Sequence, residues 1–364
     1  MNLTPNPPTP DPDAPLASVH TQNFPALLQQ LRISLLVSTY QTGKLILIRA
    51  DGEQLNTHFR ALPKPMGIAA TAGKIAVGSG LQILELHNIP AATAKLEPAD
   101  RHDACYLLRT AHVTGDIDIH EMAWGKEDLW FVNTRFSCLC TLDSRYSFVP
   151  RWRPPFISAL SPEDRCHLNG LSLVAGLPRY VTALGLSDTQ GGWRATKANG
   201  GILMDVATNA VIAANLSMPH SPRWHDQHLW ILESGQGSLA QVDGATGQLQ
   251  TVTQLPGFTR GLDFYGSLAF VGLSQVRETA VFSGIPLTER LQERICGVWV
   301  IDLRSGQTVA YLKFEAAVQE IFAVQVLPGA RFPEIAEGDH LLANTYVVPD
   351  VNLADVPQAL RTGL

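Results

Sequence analysis

The chain has 364 residues, past the ~250–300 at which a single core stops growing, so it needs two domains or an architecture that adds core by repetition. Charged residues are 16% against a usual ~25% and hydrophobic residues 45%, which excludes a long disordered protein. A net charge of -6 gives no basic footprint for nucleic acid. No stretch approaches the ~18 continuous apolar residues of a membrane-crossing helix, so no membrane partner is expected. No Lys or Arg precedes Arg32, so a signal segment with a positive start is not expected, and five cysteines give no paired framework. The expected compartment is the cytoplasm.

In chain order, residues 1–24 read as a disordered proline-rich tail, since each proline removes a donor and fixes φ. A short helix is expected at Phe24–Leu31, where Phe24, Leu27, Leu28 and Leu31 recur at helical spacing. From Ser34 onward short period-two runs take over: SLLVS, KLILI, DLWFV, HLWIL, SLAFV and GVWVI, separated by Gly, Pro and Asp. The fold class is all-β.

Two markers then repeat along the chain. The first is a strand ending in a turn, at Asp51, His87, Asp143, Asp205, Asp243 and Asp302. The second is a polar residue followed by an apolar run, at Met66, Glu121, Asn169, Ser221, Arg260 and Glu320. From Met66 to His87 the spacing is 21 residues, and it is 22 from Glu121 to Asp143 and from Ser221 to Asp243. Insertions near Leu186–Gly200 and Ser274–Glu293 stretch two other copies. The last second marker has no turn marker after it, and the first turn marker has no second marker before it. Joined, they complete one unit. The expectation is a six-bladed β-propeller over residues 25–350, closed by pairing of N- and C-terminal strands, with a C-terminal tail at 351–364.

In such a ring the second-marker residues start the innermost strands and converge on one channel mouth, where the insertions also lie. His120, Glu121, His167, His220 and Arg260 are therefore the candidate catalytic residues, as bases, ligands or an anion clamp. Asn169 and Glu320 join them as ligand-binding candidates, with Tyr40, Asn133, Arg135, Glu233, Arg277 and Glu278 from the rim loops. One divalent metal ion is the candidate cofactor, held by Glu121, His167 and His220. The Cys138 and Cys140 thiols lie two apart on a strand and read as buried and inert.

The segments STYQTGKL, HEMAWG, LWFVNTRFSCLCTLD, PEDRCHLNGL, SMPHSPRWH, LWILESGQG, LPGFTRGL, GLSQVRET and CGVWVIDL resemble a family of uncharacterised bacterial propeller proteins with a domain of unknown function. That resemblance carries a fold and no activity. At fold level the chain is also similar to gluconolactonase and senescence-marker-type propellers, which implies a divalent cation held by Glu, Asn and Asp. Glu121 and Asn169 match that pattern in placement, whereas Ser221 and Arg260 depart from it. Two functions follow as expectations. One is a hydrolase or lyase, metal-assisted or not, for a small anionic molecule at the channel mouth. The other is a non-catalytic propeller that binds a small-molecule ligand or a protein partner.

Overall fold

A computed structural model of the chain describes residues 16–276, 284–336, 339–358 and 361. The period-two runs become strands of six sheets, each with four antiparallel strands in its body. Blade 1 runs outward as Ala323–Pro328, Ile33–Thr39, Lys44–Asp51 and Gln54–Ala61. Blades 2 to 6 follow in chain order, with innermost strands Ile68–Ala70, Ile119–Trp124, Leu168–Val174, Pro219–His225 and Phe258–Tyr265. The fold is thus the expected all-β, six-bladed β-propeller. Its closure is also as expected: Leu35 pairs with Val326 and Ser38 with Ala323, so the C-terminal strand is the innermost strand of the N-terminal blade.

The recurrent Asp has a local cause. It ends or follows the third strand of a blade, where its carboxylate accepts backbone N–H groups of the turn that starts the outer strand. Asp143 Oδ1 takes Arg145 N at 2.9 Å, Asp205 Oδ1 takes Ala207 N at 2.8 Å, and Asp243 Oδ1 takes Ala245 N at 2.9 Å. The core lies between blades. Ile83 and Ala76 of blade 2, for instance, pack against Ile119, Phe131 and Cys138 of blade 3. At four of the six junctions, a hydroxyl at the end of a second strand binds its blade to the chain entering the next blade's inner strand. Ser38 Oγ donates to Met66 O (2.5 Å), Thr134 Oγ1 to Leu168 O (2.6 Å), Ser234 Oγ to Thr259 O (2.5 Å) and Ser274 Oγ to Ile321 O (3.0 Å). At the closing seam Gly261, with φ +81°, leaves no room for a side chain, since a Cβ would stand 2.6 Å from Val324 N.

Two expectations about the ends are corrected. Residues 1–15 lie outside the described residues, but the tail assigned to 1–24 cannot extend to 24. Ser18–His20 forms a fifth, outer strand on blade 6, pairing Ser18 with Phe314 and His20 with Leu312. Proline stops at Pro15, so the following backbone donors are free to ladder onto that edge. The expected helix Phe24–Leu31 is present and buries Phe24 and Leu28. At the other end the ring stops at Pro328 rather than near 350. Pro333–Ile335 leaves it to pair, in parallel, with the outer strand Ala104–Val113 of blade 2, and the short helix Asp350–Leu353 spans the boundary placed at 350. Compared with a chain that starts at residue 16, one that starts at residue 22 should lose about 2 kcal/mol or more in urea denaturation. It gives up the strand pairing and the bond from Thr21 N to Tyr311 O (3.0 Å). Equal stability of the two would show that the edge strand contributes nothing.

Candidate functional site

A cavity of about 230 Å³ opens where the innermost strands begin. In four blades a residue in the left-handed region stands two positions before the equivalent inner-strand side chain: Lys64 (φ 49°), Asp118 (52°), His167 (52°) and Met218 (48°). The side chains so placed are Met66, His120, Asn169 and His220, with Arg260 and Phe322 at the corresponding places in the other two blades. All but Asn169 line the cavity, and His167 takes that blade's place in the wall. The insertion in blade 4 folds as a single-turn helix, Gly192–Thr196, and brings Trp193 and Arg194 to the same wall. Tyr40, Lys64, Asp118 and Phe258 are further lining residues.

The three imidazoles are fixed by their Nδ1 atoms. His120 Nδ1 is 2.8 Å from Thr134 Oγ1, whose own proton goes to Leu168 O, so the hydroxyl must accept from the ring. His220 Nδ1 repeats this with Ser234 Oγ at 3.0 Å, whose proton goes to Thr259 O, and Met218 O lies 2.9 Å from the same nitrogen. A carbonyl can only accept, so both rings carry their proton on Nδ1 and leave Nε2 as a lone pair. Burial lowers the pKa of His120 and His220 well below the usual ~6.5, so neither ring is charged near neutrality. His167 gives Nδ1 to Asp164 Oδ1 (2.9 Å) while its ring packs 4.4 Å from Trp193 and 4.7 Å from His120.

Charge in the cavity comes from other groups. Arg260 lies over the Phe322 ring at 3.7 Å. Burial lowers its pKa while Tyr40 and Glu320 oppose this, and a guanidinium remains charged. Lys64 Nζ sits 2.5 Å from Asp118 Oδ1, and the Arg194 guanidinium lies 4.6 Å from the centre of the Trp193 ring. Met66, Leu184, Trp193, Met218, Phe258 and Phe322, all apolar or aromatic, make up much of the remaining wall.

The other expected residues fall elsewhere. Glu121 is not on this cavity: it forms a two-pronged ion pair with Arg223 of blade 5, at 2.9 and 3.1 Å, inside the channel. Arg223 and Asp263 line a second cavity, with Trp124 and Trp224, at the far ends of the same inner strands. The cause is an irregularity in strand pairing near Glu121, also present near Ser221 and Gly261, which turns consecutive side chains to different levels of the channel. Asn169 Oδ1 accepts from Thr182 Oγ1 (2.7 Å), Asn133 Oδ1 caps Phe136 N (3.0 Å) and Glu233 Oε1 accepts Ser217 N (3.0 Å). These three are framework residues in the structure, not cavity walls. Glu320 accepts from the Tyr40 hydroxyl behind the wall, and Arg135 pairs with Asp116 at 2.6 Å in a neighbouring cleft. Arg277 and Glu278 lie outside the described residues. Cys138 and Cys140 are fully buried with sulfurs 3.5 Å apart.

The expected metal set of Glu121, His167 and His220 is not assembled. Glu121 is engaged by Arg223, and among the described residues no three His, Cys, Asp or Glu side chains are grouped to hold an ion. For the same reason the gluconolactonase-type ligand pattern finds no support, since the oxygens of Glu121 and Asn169 already have protein partners. Sequence reading missed Lys64, Trp193, Arg194, Phe322 and Arg223. The signal for Phe322 was the blade register itself, two residues past Glu320, whereas nothing local marks Arg223 as the partner of Glu121.

No helix among the described residues is long and apolar enough to cross a membrane. No curated protein matches the chain. Among solved structures, a chain in the crystal structure of a nidogen/laminin complex matches with a TM-score of 0.54 and 11% identity, over 82% of this chain and 99% of that one. A protein of unknown function from Bacteroides caccae matches with a TM-score of 0.51 and 11% identity, over 81% and 98%. At such identities the likeness is one of fold. A family model described as Domain of unknown function (DUF4915) matches residues 22–336, which takes in all six blades, and the chain belongs to that family.

Proposed function

We propose that the cavity binds a small hydroxylated anion, a hydroxycarboxylate or a molecule of the same chemistry. The observation that supports this is the pairing of a fixed cation with fixed acceptors: Arg260 held against Phe322, and the Nε2 lone pairs of His120 and His220 set by Thr134 and Ser234. A carboxylate meets the guanidinium in a charge-assisted hydrogen bond, and hydroxyl groups donate to the imidazoles. A simple inorganic anion would satisfy the first and leave the acceptors idle.

The test is a thermal-shift and calorimetric panel of small acids with and without hydroxyls. Arg260→Ala is expected to weaken hydroxy-acid binding by about 10–100-fold, the worth of one charged hydrogen bond, and Arg260→Lys to restore part of it. Binding that ignores both substitutions would overturn the reading. The Asp164–His167 pair favours catalysis over simple binding, because a carboxylate on Nδ1 fixes the orientation of the ring, as a catalytic imidazole requires. Turnover of an ester or a β-hydroxy acid that is lost in His167→Gln, with binding kept, would decide for the hydrolase or lyase. Binding without turnover would decide for the non-catalytic propeller.

A further inference from the structure

The cavity does not end at Arg194. A cleft of about 250 Å³ lies beside it and shares two residues with it, Asp118 and Arg194. Its other walls are Arg135, Pro162, Glu163, Asp164 and Gln190. Arg194 is the partition between the two spaces. Its side chain is 54% exposed, and its contact with Asp164 is long, 3.4 Å from Nη2 to Oδ2. Held at the edge of the cavity by this long contact and by an exposed stacking on Trp193 (4.6 Å), such a flexible side chain is displaced at little cost.

Size and charge then point to one kind of occupant. Pockets that take larger organic ligands usually span ~300–1,000 Å³, so the Arg260 cavity alone has room only for a small acid, whereas the two spaces together fall within that range. Apart from the displaceable Arg194, the charged groups of the cleft already have partners: Arg135 with Asp116 (2.6 Å), Asp118 with Lys64 (2.5 Å), Glu163 with Arg165 (2.7 Å), and Asp164 with the ring nitrogens of His167 and Trp193 (both 2.9 Å). Paired ions offer lone pairs and N–H groups to hydroxyls but no uncompensated charge to a second ionic group. The anion therefore belongs at the Arg260 end and an uncharged, hydroxyl-rich group at the Arg135 end. Resting on the proposed function above, we infer that the ligand is a hydroxy acid joined to a neutral sugar, lying from Arg260 past a displaced Arg194 into the cleft.

Three probes separate the parts: glycerate (acid alone), glucosylglycerate (acid and sugar) and glucosylglycerol (sugar alone). Calorimetry on the full chain should find glucosylglycerate bound about tenfold tighter than glycerate, and glucosylglycerol bound weakly or not at all. Arg135→Ala should remove most of that gain and leave glycerate unchanged. Arg135 is 39% exposed on its side chain and its ion pairs are at the surface, so the variant should fold. Gln190→Trp, which fills the cleft from an exposed position, should do the same by exclusion. Equal affinity for the two acids, or a gain untouched by both variants, overturns the two-part ligand while the hydroxy-acid site stands. If neither acid binds, or if both bind equally well to Arg260→Ala, the parent reading falls, and the inference with it.

Discussion

Replacing Glu121 by Ala should cost about 3–5 kcal/mol of folding stability in urea denaturation. The residue was expected to face a ligand, in which case its loss would have spared the fold. The structure gives the opposite reason for its being there. Its carboxylate holds both terminal nitrogens of Arg223, and the side chains are only 5% and 15% exposed. Arg223 also donates to Leu262 O (2.9 Å) and Leu171 O (3.2 Å), so this one guanidinium ties blades 3, 4, 5 and 6 across the channel. Burial pushes the Glu121 carboxyl up, and Arg223 opposes this. Removing the carboxylate strands a buried cation, which is the costly case, whereas removing both charges is not. The double replacement Glu121→Leu with Arg223→Met should therefore regain most of the loss. A Glu121→Ala chain within about 1 kcal/mol of the parent would show that the pair does not hold the channel. In Glu121→Gln, hydroxy-acid affinity should be unchanged, because the residue does not line the Arg260 cavity.

A loss of similar size is expected for Glu334→Ala, with a pH signature of its own. Glu334 sits on the parallel strand Pro333–Ile335, side chain 9% exposed, 2.5 Å from Arg60 Nη2 and 3.4 Å from Arg49 Nη1. His58 Nε2 and His102 Nε2 stand 3.2 and 3.6 Å from the same carboxylate. Arg49 and Arg60 belong to blade 1 and the paired strand to blade 2, so the residue clamps the strap across a blade interface. Burial acts to raise its pKa, but His58, Arg60 and Arg49 together bring it down to about 2. A carboxyl lowered in the folded state stabilises above its unfolded value near 4.5, and that contribution, about 3 kcal/mol, is lost as pH falls toward 2. Burial also lowers the His102 pKa, so that group begins to withdraw stability already as pH falls below ~6.5. The wild-type chain should thus lose stability steadily from pH 6.5 down to 2, and Glu334→Gln should show a shallower slope below pH 4.5. Parallel slopes for the two chains would remove Glu334 from the account.

How much could be read without coordinates depended on how local the cause was. The Asp at the outer turns of blades 3, 4 and 5 is legible because its carboxylate bonds backbone two residues ahead, within one hairpin. Strand identity is legible because alternation matches the pleat. Ring closure was legible from arithmetic: a unit cut between Glu320 and Asp51 can be made whole only by joining the ends, as Leu35 and Val326 do. The strand Ser18–His20 was not, since three residues on a blade edge carry no pattern that distinguishes them from a tail.

The candidate site divides in the same way. By itself the sequence determined that His120, His220 and Arg260 come to one mouth, because each opens an innermost strand and repetition places them alike. It also determined that the blade 4 insertion reaches that mouth, as Trp193 and Arg194 do. Only the tertiary structure decided which neighbour each polar group meets. Glu121 and Arg223 are 102 positions apart on different blades, and an irregular step in each inner strand directs them to each other below the cavity. A shift of one residue exchanges the two faces of a strand, so the outcome turns on backbone geometry that residue types alone do not encode.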